Sequence, residues 1–318
     1  MRDIVGDILY VDLTQRRAWR EPVGPDRVIR FLGGRGMNAS LLWELCKPGT
    51  EPLGPENPLI FGTGLATGTE MPSSGRTTVT CRSPATGWYL KTSAGGHWGG
   101  ELKYAGYGYL VVRGRSEHPV YLWIHDGEVE FRDARHLWGK DVRETDLAIK
   151  REIGDEDIQV AAIGPGGEHL VKFAAVMFSV YNAAARGGAG AVMGSKNLKA
   201  IAVRGTGALR AAQPARYHQV ARVCHESLLA DSGTAGLAEY GTSGSLNVVN
   251  ELRLLPSFNF QRSHLEDAYP LTGQYLVEAG YLKRRVACFA CIIGCHRYTQ
   301  IVRGMHAGTF GGGPEYET

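Results

Sequence analysis

Three cysteines late in the chain, Cys288, Cys291 and Cys295, form a C-x2-C-x3-C run. Thiolates at these offsets on one loop can converge on a single metal centre, and clusters of iron and sulfide are held by cysteine thiolates. Zinc bound by the three cysteines and His296 is the competing chemistry, because zinc accepts Cys3His sites. Cys46, Cys81 and Cys224 are isolated in sequence and read as small buried hydrophobes. Disulfides are not expected: a chain of 318 residues in a reducing compartment needs no such staples.

Glycine is the compositional outlier, with 43 residues gathered into clusters at Gly33-Gly34-Arg35-Gly36, Gly95-Gly96, Gly99-Gly100, Gly164-Pro165-Gly166-Gly167 and Gly187-Gly188-Ala189-Gly190. Lacking a Cβ, glycine lets a ligand reach main-chain N–H groups and tolerates positive φ, and it also serves plain tight turns. The named nucleotide motifs fail. Gly188 to Gly194 is one residue too long for G-x-G-x-x-G, and Gly194-Ser195-Lys196 lacks the earlier glycine of a phosphate loop.

The elements that must position these residues change character along the chain. Up to about Thr206 short strands dominate: Ile8 to Leu13 paired with Arg17 to Val23, then Leu59 to Gly62, Thr77 to Arg82 and Tyr109 to Arg113. Val120 to His125 and Val129 to Arg132, joined through Asp126-Gly127, carry the strongest hairpin signal. Further strands are expected at Gln159 to Ile163, Leu170 to Met177 and Ala200 to Arg204, with helices at Pro25 to Leu32, Asn38 to Leu45 and Val142 to Ile153. No regular strand-helix alternation is present, so the expected class is α+β rather than a doubly wound sheet. Helical periodicity then appears at Tyr217 to Leu229, Leu246 to Leu255 and Tyr275 to Arg285. The expected division is a strand-rich domain over residues 1–208 and the start of a mainly helical domain over 209–318. No 20–50-residue repeat is visible.

A 43% apolar content can bury two cores, and no apolar run approaches the roughly 18 residues of a membrane span. The formal charge of +3 is dispersed, which argues against nucleic acid as a partner. A cytoplasmic location is the default expectation, with no signal peptide at the start.

The layout resembles the aldehyde ferredoxin oxidoreductases, whose tungsten or molybdenum atom is held by two pterin dithiolenes. The carrying segments span the chain: Phe31 to Gly36, Pro72 to Arg76, Gly95 to Gly106, Ala134 to Lys140, Gly187 to Ile201 and Gly313 to Thr318, together with the cysteine run. The resemblance implies that Cys288, Cys291 and Cys295 bind a [4Fe-4S] cluster and that Arg76 lies between cluster and pterin, donating several hydrogen bonds. It implies that Gly95 and the segment Asn182, Ala183, Ala184, Ala185 and Arg186 bind pterin, its phosphates and a bridging magnesium ion. Two departures stand out: Ser93 replaces the asparagine of well-known members, and Ala185 replaces a glycine. A serine hydroxyl can still ligate a hard cation, with shorter reach. Glu317 matches a carboxylate beside the metal that can move a proton during substrate oxidation, with Glu315 as the next candidate. His97 is expected to pack rather than ligate.

In the family the fourth cluster cysteine and two D-x-x-G-L-[CD] segments come later, and none occurs in these 318 residues. The resemblance therefore implies a truncated or split product that needs a C-terminal half or second polypeptide. The complete enzyme is expected to oxidise an aldehyde to a carboxylic acid and pass electrons through the cluster to ferredoxin or an electron-transfer subunit. Two alternatives stand beside it: a non-catalytic iron-sulfur or pterin-binding module, and another redox reaction such as aromatic acyl-CoA reduction.

Overall fold

A computed structural model describes residues 2–314, with side chains from residue 4. The backbone divides into two compact units, Met1–His218 and Gln219–Thr318. The first runs through β1 (Arg2–Asp3), β2 (Asp7–Asp12), β3 (Arg17–Glu21), α1 (Pro25–Phe31), α2 (Gly34–Leu45), β4 (Leu59–Thr63), β5 (Thr77–Arg82), β6 (Tyr89–Ala94), α3 (Trp98–Tyr104) and β7 (Tyr107–Arg113). It continues with β8 (Val120–His125), β9 (Glu128–Asp133), α4 (Val142–Ile153), β10 (Gln159–Ala162), α5 (Pro165–Glu168), β11 (Val176–Phe178), β12 (Asn182–Ala184), α6 (Ala189–Ser195) and β13 (Leu198–Arg204). β14 (Leu209–Arg210) pairs with β1, and α7 (Pro214–Ala230) begins in the first unit and continues into the second.

These strands form two six-stranded sheets of the same topology, ordered β3-β2-β7-β4-β5-β6 and β9-β8-β13-β10-β11-β12. In each, a hairpin leads, its first strand lies parallel to the last strand of the half, and the remaining neighbours are antiparallel. The first unit is an internal duplication. Each half is roughly a hundred residues long, outside the 20–50-residue window in which sequence repeats are sought.

Period-2 alternation explains the layering. Leu9 and Val11 of β2 and Leu110 and Val112 of β7 point into a core shared with Leu122 and Ile124 of β8 and Ile201 and Val203 of β13. On the other faces, Ile8, Tyr109 and Val111 meet Met37 and Leu41 of α2, while Tyr121, Trp123 and Ala202 meet Ile149 of α4. Trp98 of α3 ties the halves together: it packs against Phe61 and Phe178, and its Nε1 donates to the Ile201 carbonyl at 3.1 Å.

Local chemistry sets several boundaries. Asp141 and Glu144 form a reciprocal capping box on α4, and Gly154 ends that helix in the left-handed region. Asp126 and Gly127 both take positive φ, as a two-residue hairpin turn of this type requires. The expected strand over Leu170 to Met177 is a correction: only Val176–Phe178 is extended. Leu170 has φ +58°, and the Ala174 carbonyl accepts from Gly190 N at 2.9 Å, so this stretch turns to receive α6 instead of joining the sheet.

The second unit holds α8 (Ser232–Tyr240), α9 (Leu246–Glu251), α10 (Gly273–Glu278) and an antiparallel sheet of β15 (Leu282–Val286), β16 (His296–Gln300) and β17 (Phe310–Gly312). The expected helix from Tyr275 to Arg285 is corrected here. It stops at Glu278, Gly280 takes φ +73°, and the chain emerges as a strand.

Candidate functional site

β6 and β12 are each an edge strand of their own sheet, and they lie against each other along one seam. A Cβ built on Gly96 would stand 3.0 Å from Asn182 Oδ1, and one on Gly187 would collide with Leu90. The two edges therefore lie side by side and run in opposite directions. An edge strand carries N–H and C=O groups that no ladder pairs, an arrangement proteins usually blunt. Here two such edges face each other.

Six of the seven residues expected to bind cofactor lie along this seam. Ser93 is half-buried on β6 and Gly95 follows it; Asn182 and Ala183 are half-buried on β12, with Ala185 and Arg186 exposed just beyond. The seventh, Arg76, is exposed immediately before Thr77, which is registered opposite Ala94, so it sits beside the Gly95 end of β6. Among the described residues neither Arg76 nor Arg186 has an ion-pair partner. Guanidinium groups left free beside open backbone suit bidentate contact with phosphate.

The duplication gives these positions a relationship that the sequence does not show. Ser93 pairs with Thr78 in β5–β6, and Ala183 pairs with Met177 in β11–β12; counted from the matching central strands, the two occupy the same register. Gly95 and Ala185 are equivalent in the same way. Two equivalent backbone sites across a pseudo-twofold seam fit a two-armed ligand bridged by one hard cation with oxygen ligands.

In the second unit, Cys288, Cys291 and Cys295 lie half-buried on the loop between β15 and β16, which pair as a hairpin from Val286 and His296 outward. The cysteines thus sit on a hairpin loop, not after a helix. Cys291 N donates to the Cys288 carbonyl at 3.1 Å, and Ala290 and Gly294 take positive φ. Among the described residues, no three His, Cys, Asp or Glu side chains are gathered tightly enough to chelate one ion. A cluster asks for less, since its thiolates bind different irons.

Sequence reasoning missed Arg297. Its side chain is buried, and its guanidinium donates to the Gly294 carbonyl at 3.1 Å and the Ala238 carbonyl at 2.9 Å. It pins the cysteine loop to α8. A charged residue two positions after the last cysteine was the only available signal.

Glu317 and Glu315 lie outside the described residues. His97, expected to pack, is instead exposed at the N-cap of α3. Of the isolated cysteines only Cys81 is buried, where burial pushes its thiol up to about 12; Cys46 and Cys224 are half-buried. No helix among the described residues is long and apolar enough to cross a membrane.

Comparison with known proteins matches residues 8–205 to the family model for the aldehyde ferredoxin oxidoreductase N-terminal domain, and residues 219–318 to that for domains 2 and 3. Tungsten-containing aldehyde ferredoxin oxidoreductases of Pyrococcus abyssi and Thermococcus kodakarensis are each 45% identical over 98% of this chain. An aliphatic sulfonate oxidoreductase, WOR-like subunit, of Pyrococcus furiosus is 31% identical over 98% of it. The chain spans about half the length of these relatives, 51%, 51% and 52% respectively. Among solved structures, the active-site complex BamBC of benzoyl coenzyme A reductase, with 1,5 dienoyl-CoA, has a TM-score of 0.86 and 35% identity. That match covers 98% of this chain and 49% of the other.

Proposed function

The chain belongs to the aldehyde ferredoxin oxidoreductase family, and from that premise we propose that it forms the pterin-cradling and cluster-binding half of an aldehyde-oxidising enzyme. The observation that carries this reading is the seam between β6 and β12, two equivalent sheet edges with glycine turns and unpaired arginines beside them. A tungsten or molybdenum bis-pterin would supply the oxygen-transfer and two-electron chemistry that no side chain provides.

The residues of this chain bind and orient. Backbone groups at Ser93, Gly95, Asn182, Ala183 and Ala185 would hold the pterins, their phosphates and a bridging magnesium ion, while Arg76 and Arg186 would balance the phosphate charge. Cys288, Cys291 and Cys295 would ligate three irons of a [4Fe-4S] cluster, the fourth corner being filled from elsewhere. Glu317 would move a proton as an aldehyde and water become a carboxylic acid, releasing two electrons and two protons; ferredoxin is the proposed acceptor. A cytoplasmic site of action goes with this chemistry.

Likeness to the benzoyl coenzyme A reductase complex favours a second reading, reduction of an aromatic acyl-CoA. Greater identity to the aldehyde enzymes ranks it second.

The test is metal and pterin analysis of protein purified without oxygen, with and without a co-expressed C-terminal half from a relative. About four irons, with tungsten or molybdenum and pterin in the co-expressed sample, and aldehyde-dependent reduction of a dye, are expected. Stoichiometric zinc without pterin in both samples would overturn the proposal, and acyl-CoA turnover without aldehyde turnover would favour the second reading.

A further inference from the structure

The duplication leaves the first unit with a second pair of neighbouring edges. β3 and β9 are the equivalent strands at the other ends of the two sheets. Arg16, just before β3, lies 5.5 Å from the centre of the Phe131 ring and donates to the Phe131 carbonyl at 2.9 Å. At the other end the Tyr107 hydroxyl donates to the Gly127 carbonyl at 2.8 Å. Whereas β6 and β12 pack on each other, the backbones of β3 and β9 stand apart, and a cleft of about 440 Å³ opens between them.

The cleft has an apolar floor and basic ends. Leu9, Ala18, Val129 and Phe131 belong to the shared core or pack against it, so the floor is an uncovered end of that core. Arg16 and Arg20 line the cleft without any carboxylate beside them, and among the described residues Arg20 has no hydrogen-bond or ion-pair partner. The carboxylates of the flanking strands are engaged elsewhere: Glu21 accepts from Trp19 Nε1, and Glu130 pairs with His125 and Arg132. A smaller extension, which Arg16 does not reach, adds Asp7.

In an antiparallel strand the N–H and C=O of one residue point to the same side, and successive residues alternate. The Phe131 carbonyl points into the cleft, so its N–H does too, as do both groups of Val129 two residues earlier. β9 thus offers donors and acceptors that no strand pairs. Charges at such an edge can serve merely to blunt it. Blunting and recruitment predict opposite effects of removing the arginines.

We propose that this cleft docks an acidic, extended segment of a partner protein, which adds to β9 as a strand. An apolar side chain of the segment rests on the floor, and carboxylates two residues before and after it, on the same face, meet Arg16 and Arg20. Strand addition draws affinity from main-chain hydrogen bonds and specificity from alternate side chains. Arginine suits the carboxylates because it grips them with two parallel bonds. The cleft lies at the sheet edges opposite the β6–β12 seam, and the inference does not depend on the cofactor reading.

The experiment measures fluorescence anisotropy of labelled peptides Thr-Glu-Thr-X-Thr-Glu-Thr, with X as valine, leucine or phenylalanine, on the anaerobically purified chain. Binding of at least one peptide is expected, with about tenfold weakening in Arg16→Gln and in Arg20→Gln, the size of one charge-assisted hydrogen bond. Val129→Pro removes a cleft-facing N–H at an edge position that tolerates proline and should weaken binding as well. Amide exchange read by mass spectrometry should slow over residues 128–133 of the parent when peptide is bound, which tests strand pairing without any variant. No binding at millimolar peptide, equal binding of peptides with lysine in place of glutamate, or tighter binding in the arginine variants would overturn the proposal. So would displacement by equal concentrations of free glutamate or phosphate with β9 exchange unchanged, the mark of a small-anion site, or a dimer of the chain that the peptides dissolve, the mark of a second copy as occupant.

Discussion

Gly96 lies against Asn182: a Cβ at Gly96 would stand 3.0 Å from Asn182 Oδ1, and the Gly96 backbone takes φ +96°. The contact joins two sheet edges whose strands are nearly ninety residues apart in sequence. Gly96→Ala should cost about 1–2 kcal/mol from backbone conformation alone, lowering the unfolding midpoint by a few degrees. It should also reduce pterin content by widening the seam. Differential scanning fluorimetry with pterin analysis checks both, and unchanged pterin content would show that the seam tolerates a methyl group.

Arg297 should behave as a clamp for the cysteine loop. Its guanidinium reaches four carbonyls, those of Leu237 and Ala238 on α8 and those of Gly294 and His296 around the last cysteine, and a lysine cannot reproduce that fork. Arg297→Lys is expected to halve iron content or worse while leaving pterin content intact. Visible absorbance and iron assay of the same preparation measure it; full iron loading would refute the clamp.

Lys199 and Glu168 form an ion pair whose side chains are 0% and 2% exposed. Lys199 Nζ also donates to the Lys140 carbonyl at 2.8 Å, and Glu168 Oε2 accepts from Gly139 N at 2.8 Å. Glu168→Gln leaves a buried charge uncompensated and should cost about 3–5 kcal/mol. The double variant Glu168→Leu/Lys199→Met should recover much of that loss. Urea denaturation of the three proteins provides the comparison.

Lys196 predicts a pH dependence. Burial, the dominant cause, lowers its pKa from 10.5 to about 7, even though Nζ donates to the Pro55 carbonyl at 2.9 Å. Above pH 7 the folded state has released a proton that the unfolded chain still holds, so stability rises with pH toward 10.5; below pH 7 the full penalty of burying the charge is present. Cys81 acts in the opposite sense: its folded thiol stays protonated while the unfolded one ionises near 9, so it lowers stability above that pH. The clean window is pH 7 to 9. Lys196→Met should flatten the rise there, by up to about 1.4 kcal/mol per pH unit, as read from denaturation midpoints across the window.

The sequence by itself determined the local features. The C-x2-C-x3-C run, the capped helix α4, the Asp126-Gly127 hairpin and the α+β class all rest on interactions between near neighbours. The family pattern also named Arg76, Ser93, Gly95 and Asn182 as site residues without saying what joins them. Only the tertiary structure decided that β6 and β12 are facing edges, that Ser93 and Ala183 share a register, and that Arg297 pins the cysteine loop. Short edge strands show little alternation, glycine erases side-chain periodicity, and register between halves is set by packing across the shared core around Trp98. Such information lies in contacts between distant residues, and no local window of sequence contains it.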